Sequence, residues 1–364
     1  MLDELKPIAQ ACDLTVEDHV RRRVAIVGAG AIVDVAHLVA YRKVGLEVVG
    51  LFDQDPARAA EVAARHGVET TYGSLDDLLN DERVEVIDIA VHPSAQPGIV
   101  RSVISAGKHA LCQKPFAPDV TTALELAELA EHAGLQIAVN QQLRYDEGIA
   151  AARAMVRAGW IGEVLECTFD VDIDTDFSAW TWMSGSTRLE ITYHSIHYLD
   201  AIRGFLGEPD RVFSTAGSLP GAALIGETAT TTSMRFAGGV RALVHANHHN
   251  IYGRPNASFL LTGTAGRIHG TLGLLYDYPL GRPDTLEVHS RALPTDGWLS
   301  YPVTRRWLPD AFVVPMRALL HAINSGVPAE TNGRDNASTI ALVDACYRSI
   351  ETGEAQRPVV VSVA

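Results

Sequence analysis

The sequence predicts an α/β protein with a parallel sheet and crossover helices in its first half and a mostly antiparallel sheet in its second. Short apolar runs alternate with helical stretches from about residue 22 to 140, which is typical of a parallel sheet. A glycine turn follows the first apolar run, and Asp53 ends the second. After about residue 145, longer strand-like runs are joined by glycine-containing turns, which favours antiparallel pairing.

Prolines and glycines bound the predicted elements of the first half. Pro56 and Pro118 lie in the first turns of helices, where the missing N–H has no helical partner to lose. Gly107 and Gly134 lie where helices end. The predicted strands are 24–27, 48–52, 86–91, 109–112 and 136–139, and the predicted helices span about 31–43, 56–66, 75–80, 94–107 and 119–133.

The second half begins with a predicted helix at about 146–158 and is then rich in strands. The turn Ala237-Gly238-Gly239 indicates a hairpin between two of them. A helix at about 190–205 interrupts the strands, and two helices follow at about 311–325 and 335–353. The predicted strands are 164–173, 211–216, 228–236, 240–249 and 258–262.

Composition narrows the class of protein. A chain of 364 residues with 47% hydrophobic and 20% charged residues is globular and long enough for two domains. Its net charge of -14 argues against nucleic-acid and anionic-membrane partners, and no apolar run is long enough to span a membrane. Four scattered cysteines and the absence of a signal-peptide pattern in residues 1–20 predict a cytoplasmic protein with reduced thiols.

The glycine turn indicates a dinucleotide site. Glycines there let the backbone approach a pyrophosphate, and the helix start offers free N–H groups to its charge. Asp53 lies where a carboxylate can bind an adenosine ribose, which favours NAD over the 2′-phosphorylated NADP. The third glycine position of the motif holds Val33. The predicted contacts at this turn are Gly28, Gly30, Ala31 and Ile32.

Two further clusters lie at the carboxyl ends of predicted strands, where ligands bind in such folds. Gln113 and Lys114 follow the fourth strand, and the lysine can bind a reacting hydroxyl and stabilise alkoxide charge. His92 and Pro93 follow the third strand, so their backbone is expected to pass near a cofactor. The alternatives are an ordinary surface lysine and a simple strand-to-helix turn.

The predicted helix at 190–205 carries acid–base groups. Tyr193 and His197 are four residues apart, which places them on one helical face, with Asp200 about one turn further. Imidazole titrates near neutrality, so it can carry the proton that accompanies hydride transfer. Glu190, His194 and His197 also have a spacing that a divalent metal could use, although no metal is predicted.

An aromatic segment precedes that helix. Trp180 and Trp182 lie among acidic residues and Arg188, a combination that suits stacking and hydrogen bonding to a polyol ring. The alternative is that the tryptophans cover the core or an oligomer contact. On the strand at 240–249, alternation places His245 and His249 on one face and His248 on the other, mostly as interface or surface residues, with a substrate contact as the alternative.

Together these motifs resemble the glucose–fructose oxidoreductase and inositol dehydrogenase family, also called Gfo/Idh/MocA, from about Arg22 onward. The most specific match is Ala106-Gly-Lys-His-Ala-Leu-Cys-Gln-Lys-Pro115, which resembles a signature that usually ends Glu-Lys-Pro. The other matching stretches are 27–32 with His37 for the cofactor turn, Asn140 to Arg144 for an Asn-x-x-x-Arg motif, 196–200 for the catalytic helix, and 312–316 and 335–349 for the C-terminal helices.

The resemblance implies an N-terminal extension over 1–21, an NAD-binding Rossmann domain over 22–144 and a C-terminal domain over 145–364. It implies that an open-faced sheet in the last domain forms a homodimer or homotetramer. It also implies hydride transfer between nicotinamide and a sugar, inositol or related polyol. Lys114 would bind the hydroxyl, His197 would be the general acid/base, and Asn140 and Arg144 would lie near nicotinamide or substrate.

Two positions depart from the family pattern. Gln113 replaces the usual glutamate, which is expected to let Lys114 release its proton more readily. Tyr193 stands where the family often has an aspartate that tunes the histidine, so Tyr193 or a Glu190–His194 pair would have to substitute. These departures leave room for a redox-neutral, NAD-retaining glycosidase, lyase or isomerase, or for a nucleotide-sensing protein without catalysis.

Overall fold

The computed structural model describes residues 3–218, 224–294 and 296–361, which divide into two compact units. The parallel-sheet unit comprises Leu14–Gln142 and Leu308–Ile340. The mixed-sheet unit comprises residues 3–13, Leu143–Trp307 and Ala341–Val360. The sequence groups 308–340 with the second half, whereas in the structure this segment joins the first unit.

The parallel sheet has five strands in the order β2-β1-β3-β4-β5, and all its pairings are parallel. The third predicted strand ends early, at Ile89, and the fifth begins late, at Ile137. Their side chains are largely buried, as expected for strands with helices on both faces. The strands are β1 Val24–Val27, β2 Val48–Phe52, β3 Val86–Ile89, β4 His109–Cys112 and β5 Ile137–Val139.

Side-chain caps set several helix starts. Asp55 accepts hydrogen bonds from the N–H groups of Ala57 and Arg58, and Asp119 accepts one from Thr122 N. The helices are α1 Leu5–Ala11, α2 Leu38–Lys43, α3 Pro56–His66, α4 Leu75–Leu79, α5 Gln96–Ser105, α6 Val120–His132, α7 Glu147–Arg157, α8 Ile196–Leu206, α9 Trp307–Asp310, α10 Val313–Ser325 and α11 Gly333–Thr352. Because α10 packs against β4 and β5, the segment 308–340 belongs with the parallel sheet.

The mixed sheet has eight strands in the order β13-β12-β11-β10-β6-β9-β8-β7. The β6–β9 pair is parallel and the other pairs are antiparallel. The strands are β6 Val164–Asp172, β7 Arg211–Gly217, β8 Ala229–Arg235, β9 Arg241–Asn247, β10 Asn256–Gly263, β11 Gly266–Thr271, β12 Leu286–Ser290 and β13 Trp298–Tyr301.

The sequence does not predict the last three strands. β11 contains two glycines, which weaken strand propensity and hide the alternation of apolar side chains. A Cβ on Gly270 would lie 2.4 Å from the Phe259 ring, so packing against β10 requires glycine at this position. Strand propensity and alternation therefore do not reveal β11, in which close packing requires glycine.

One face of the mixed sheet is buried and the other is open. Cys167, Phe169 and Val171 of β6 are fully buried, and α8 packs against β6 and β9. The intervening residues Thr168 and Asp170 face the open side. None of the described helices combines the length and apolar character that crossing a membrane requires.

Candidate active site

The two glycines of the first turn have different structural roles. Gly28 has φ +106°, and a Cβ there would lie 2.2 Å from the Ala90 carbonyl oxygen, so only glycine lets β1 end beside β3. Leaving aside the backbone next to Gly30 in the chain, no atom of the described residues lies within 4 Å of the place that a Cβ on Gly30 would occupy. The backbone beside Gly30 is therefore open, which is what the approach of a pyrophosphate requires.

The helix after this turn begins with exposed Ala31 and half-buried Ile32. Val33 is fully buried where the motif usually has its third glycine. The helix then makes a π-helical turn over Val33–His37 before α2. Such turns are single wide turns within α-helices and occur frequently at functional sites.

Asp53 at the end of β2 holds the glycine turn. Its Oδ2 accepts a hydrogen bond from Ala29 N at 2.7 Å, and its Oδ1 accepts one from Asp55 N at 2.9 Å. The carboxylate is half-buried, so part of it faces solvent. Its hydrogen bonds to the turn add a structural role to the ribose contact, which stays a prediction.

The ends of β3 and β5 differ in how well their polar groups are satisfied. His92 is exposed, and its Nδ1 accepts a hydrogen bond from Ser94 N, which favours the alternative of a strand-to-helix turn. Asn140 is fully buried, and within the described ranges neither Oδ1 nor Nδ2 has a hydrogen-bond partner. An unsatisfied buried amide costs about 1–3 kcal/mol. The open Gly30 and the amide of Asn140 therefore fit a dinucleotide with a carboxamide-bearing ring.

Lys114 follows Gln113 directly after β4 and is half-buried. Burial lowers the pKa of its ammonium from 10.5 to about 8. The Gln113 side chain accepts a hydrogen bond from Lys114 N at 3.0 Å and contacts His37 through its Nε2. Desolvation is thus a physical cause of easier proton release from Lys114, and the effect that the sequence attributes to Gln113 stays a prediction.

In the mixed-sheet unit, His197 lies near the start of α8. It is 8% exposed, and its ring packs edge-on against Trp307 with 5.4 Å between centroids. A π-helical turn over Ile191–Ser195 precedes α8. The one-face placement of Tyr193 and His197 and a catalytic role for Tyr193 stay predictions.

A carboxylate anchors the start of this helix. Glu227 accepts hydrogen bonds from Leu189 N and Ile191 N, both at 3.1 Å. The Tyr347 hydroxyl donates to the same carboxylate at 2.5 Å and also contacts Thr192 Oγ1 at 3.0 Å. A negative charge at a helix N-terminus is favourable because it meets the free N–H groups and the positive end of the dipole.

A buried ion pair anchors the helix one turn after His197. Arg144 donates from Nε to Asp200 Oδ2 at 2.6 Å and from Nη2 to Asp200 Oδ1 at 2.8 Å. The two side chains are only 3% and 1% exposed. Because this bidentate pairing uses two guanidinium nitrogens, it favours a structural role for Arg144 over the predicted substrate contact.

Arg188 has a structural role, and its predicted substrate contact stays a prediction. Its guanidinium lies 2.8 Å from Asp344 and 3.5 Å from Glu351, and it stacks over the Tyr347 ring at 4.6 Å. All three partners lie on α11. The positive charge is thus held by the carboxylates of one helix, where it ties the start of the His197 segment to α11.

The predicted aromatic segment does meet a histidine. Trp180 packs edge-on against His194 and Phe177, each at 6.3 Å between centroids, and against Tyr278 at 5.5 Å. Trp182 is 42% exposed and packs against Tyr193 at 5.0 Å. The two tryptophans therefore present aromatic surface beside His194 and Tyr193, respectively.

A second histidine joins this cluster. His248 is 1% exposed and lies 4.6 Å from the His194 ring, so its predicted place at the surface is wrong. Glu190, the predicted partner of His194, lies 3.6 Å from His248 Nε2 and accepts hydrogen bonds from Ser195 and Thr230. Within the described ranges, no group of three or more His, Cys, Asp and Glu side chains could hold a metal ion.

Sequence motifs do not predict the roles of several residues of the site, because these residues act through hydrogen bonds to backbone or to other side chains. One of them gives a signal in the sequence. Asp88 is a charged residue within the apolar run 86–91, and a buried carboxylate requires a partner. Gln96 and Glu227 have no such signal, whereas His37 and His248 appear in the sequence analysis without these contacts.

We expect Asp200→Asn to lower the free energy of unfolding by about 3 kcal/mol, because it leaves the Arg144 guanidinium buried without its counter-charge. Asp344→Asn removes one carboxylate from the more exposed Arg188 pair and should cost less than about 1 kcal/mol. Urea unfolding of both variants measures the difference. Equal losses would contradict the anchoring role of the Arg144–Asp200 pair.

Known proteins resemble this chain over most of its length. D-apiose dehydrogenase of Paraburkholderia graminis is 29% identical over 90% of both chains. D-xylose 1-dehydrogenase (NADP(+)) 2 of Haloferax volcanii is 25% identical over 85% of this chain and 91% of its own. A crystal structure of an Agrobacterium radiobacter oxidoreductase with NAD+, L-tartaric acid and magnesium has a TM-score of 0.81 at 24% identity, covering 93% and 98% of the two chains.

Two family models match consecutive parts of the chain. Residues 22–141 match the oxidoreductase family with an NAD-binding Rossmann fold, and residues 149–269 match the GFO/IDH/MocA C-terminal domain. The first match contains the open glycine turn and Lys114, and the second contains the His197 helix. The chain therefore belongs to the GFO/IDH/MocA family of NAD-binding oxidoreductases.

Proposed function

We propose that the protein is an NAD-dependent dehydrogenase of a small sugar, a pentose in particular, with Lys114 and His197 as its catalytic residues. The observation that carries the proposal is Lys114, a half-buried lysine at the end of β4 in a chain of this oxidoreductase family. The pentose class is suggested by relatives named as D-apiose and D-xylose dehydrogenases.

Lys114 and His197 divide the chemistry between them in this proposal. The Lys114 ammonium donates a hydrogen bond to the oxygen of the reacting hydroxyl and stabilises the charge that develops there. The neutral imidazole of His197 takes the hydroxyl proton during oxidation and returns it during reduction. When bound, the oxidised nicotinamide supplies the hydride acceptor, so no covalent intermediate with the protein is needed.

The parallel-sheet unit offers the groups that would hold the cofactor. Gly30 leaves room for the pyrophosphate, and the unsatisfied amide of Asn140 suits a carboxamide. Asp53 presents a carboxylate, which would repel a 2′-phosphate. The full proposed set is Gly28, Gly30, Ala31, Ile32, Asp53, His92, Pro93, Gln113, Lys114 and Asn140.

The aromatic cluster of the mixed-sheet unit is the proposed substrate-binding surface. Trp180 and His194 pack against each other, and Trp182 exposes much of its ring. Aromatic faces bind the apolar C–H face of a sugar, while an imidazole can hydrogen-bond a hydroxyl. Tyr193, predicted as a catalytic group, is assigned to this surface because it packs against Trp182.

The buried, uncharged state of the cysteines bears on the compartment. All four are buried and free of disulfides. Burial raises the pKa of the Cys12 thiol to about 11, so the thiol form is strongly favoured. Thiols of this kind suit a reducing compartment, and a cytoplasmic location stays a prediction.

We expect NAD-dependent oxidation of a pentose such as apiose or xylose, measured as NADH absorbance across a panel of sugars and inositols. Lys114→Met should lower kcat/KM about 100-fold or more, because it removes the donor to the alkoxide. In the wild type, kcat/KM should fall as pH rises through about 8, since the Lys114 ammonium is then lost. Lys114→Arg should remove that fall, because a guanidinium stays charged.

The double variant Lys114→Met/His197→Asn separates joint from independent action. If both groups serve one step, the kcat of the double variant will lie well above the value obtained by multiplying the fractional kcat values of the two single variants. Full activity of Lys114→Met would reject the proposed mechanism. Turnover of substrate without net formation of NADH, together with cofactor that copurifies with the protein, would point to redox-neutral chemistry.

For the cofactor, we expect NAD to bind at least about tenfold more tightly than NADP, because Asp53 repels the 2′-phosphate. Asp53→Ala should weaken NAD binding and bring the two dissociation constants together. Asp55→Ser is the control, since serine can still cap α3. Isothermal titration of each variant gives the ratio, and a wild-type ratio near one would overturn the assignment of Asp53.

A homodimer or homotetramer through the open sheet face completes the proposal. Leu243 of β9 and Phe213 of β7 both stand opposite Ser233 of β8, and they are 37% and 40% exposed. Neighbouring apolar side chains on an exposed sheet suit association with a second copy.

Light scattering should therefore give a mass of two or four times 39.2 kDa. Phe213→Glu/Leu243→Glu should shift the protein to the monomer, because two carboxylates would be buried in the contact. Leu165→Glu is a matched control. Leu165 is also exposed, but its side chain points to the other face of the sheet from Phe213 and Leu243. A monomeric wild type would contradict this association.

A further inference from the structure

The backbone around Lys114 is held by buried side chains from two other elements. We propose that Gln96 and His37 are positioning residues for Lys114, which they hold through its flanking carbonyl groups and its N–H. The inference rests on the proposed function, in which the Lys114 ammonium binds the reacting hydroxyl.

Gln96 holds the carbonyl groups on both sides of Lys114. It is 1% exposed at the start of α5. Its Nε2 donates towards the carbonyl oxygens of Gln113 at 2.7 Å, Pro115 at 3.0 Å and Phe116 at 3.1 Å. One amide group thus ties the chain before and after Lys114 to the first turn of a helix.

The N–H of Lys114 is held from the other direction. It donates to Gln113 Oε1 at 3.0 Å, which fixes the orientation of that side-chain amide because only its oxygen can accept. The Gln113 Nε2 must then face His37 Nε2, at 2.9 Å, and donate to it. His37 Nε2 therefore carries a lone pair, and the ring proton is on Nδ1.

That proton points to Asp88. His37 Nδ1 donates to Asp88 Oδ2 at 2.6 Å, and the Tyr41 hydroxyl donates to the same oxygen at 2.6 Å. His37, Tyr41 and Asp88 are all fully buried. A directed series of hydrogen bonds thus runs from Lys114 N through Gln113 and His37 to a carboxylate in β3, and it requires a neutral imidazole.

The network has a branch that leads to Lys114 and one that does not. The His37 branch ends at the Lys114 backbone, whereas Tyr41 only donates to Asp88. Both branches stabilise the buried carboxylate. Comparing them therefore separates the positioning of Lys114 from ordinary stabilisation of the fold.

Positioning matters because the ammonium sits on a flexible four-carbon stem. When the stem begins from a fixed backbone, fewer orientations compete with the one that meets the hydroxyl. A misplacement of about 1 Å can cost about 100-fold in rate. Loss of either support should therefore reduce turnover without removing any group that contacts the substrate.

The experiment compares Gln96→Met and His37→Asn with Tyr41→Phe. We expect the first two to lower kcat/KM about tenfold to 100-fold, while the dissociation constant for NAD changes less than about twofold. Tyr41→Phe should lower Tm yet leave kcat/KM within about twofold of the wild type. If Gln96→Met does not fold, Gln96→Asn replaces it, since the shorter amide cannot reach all three carbonyls.

A second readout does not depend on turnover. Lys114 can be dimethylated with ¹³C and titrated by NMR in the protein without added cofactor, with Lys114→Arg identifying its resonance. Burial holds its pKa at about 8, so Gln96→Met and His37→Asn should shift the titration upwards as the side chain gains access to water. Tyr41→Phe should leave the titration unchanged.

The outcomes separate this inference from the proposed function. Wild-type kcat/KM and an unchanged Lys114 titration in Gln96→Met and His37→Asn would overturn the positioning role. Activity losses that follow Tm equally in all three variants would also overturn it, because they would reflect stability alone. If Lys114→Met is fully active, the proposed function fails whatever these variants do.

Discussion

A carboxylate within a fully buried strand must find hydrogen-bond donors, and this requirement shapes the parallel-sheet unit around Asp88. Its donors, His37 and Tyr41, both come from the helix that follows the glycine turn. Burying the charge without them would cost several kcal/mol. The helix that opens the nucleotide site is therefore bound to β3, and through Gln113 to the end of β4. Cofactor turn and lysine loop belong to one hydrogen-bonded assembly.

The mixed-sheet unit holds its candidate catalytic helix by a related device. Two carboxylates hold this helix. Glu227 accepts hydrogen bonds from N–H groups at its start, and Asp200 pairs with Arg144 one turn after His197. The two interactions differ in kind, because one satisfies helix N–H groups and the other neutralises a buried guanidinium. Both leave the His197 ring to pack against Trp307. Rigid support of this sort is what a group that transfers protons needs.

The parallel sheet could be predicted from the sequence because its signals are local. Apolar runs such as 24–27 and 48–52 mark the strands, and Pro56 marks the start of α3. The strand β11 could not, because its glycines at 266 and 270 serve contacts with residues elsewhere in the chain. Periodicity does not register such contacts.

The candidate site divides in the same way. Lys114, His197 and the glycine turn stand in recognisable motifs, so the sequence predicts them as site residues. The sequence predicts Arg188 as a substrate contact but gives no signal of its counter-charges, which come from α11, more than 150 residues later in the chain. Gln96 has no signal in the sequence because its function lies in three carbonyl groups, which every residue possesses.

The π-helical turn before His197 has a consequence for comparing this chain with its relatives. A π turn contains one residue more than the α turn that it replaces, so the residues before Ser195 are out of phase with those after it. A gapless alignment to a relative with an uninterrupted α-helix would pair Tyr193 with a residue that points elsewhere. With a gap placed in the turn, Thr192, which contacts the Tyr347 hydroxyl, occupies the equivalent position. Which residue of a relative corresponds to Tyr193 therefore depends on whether that relative has the same π turn.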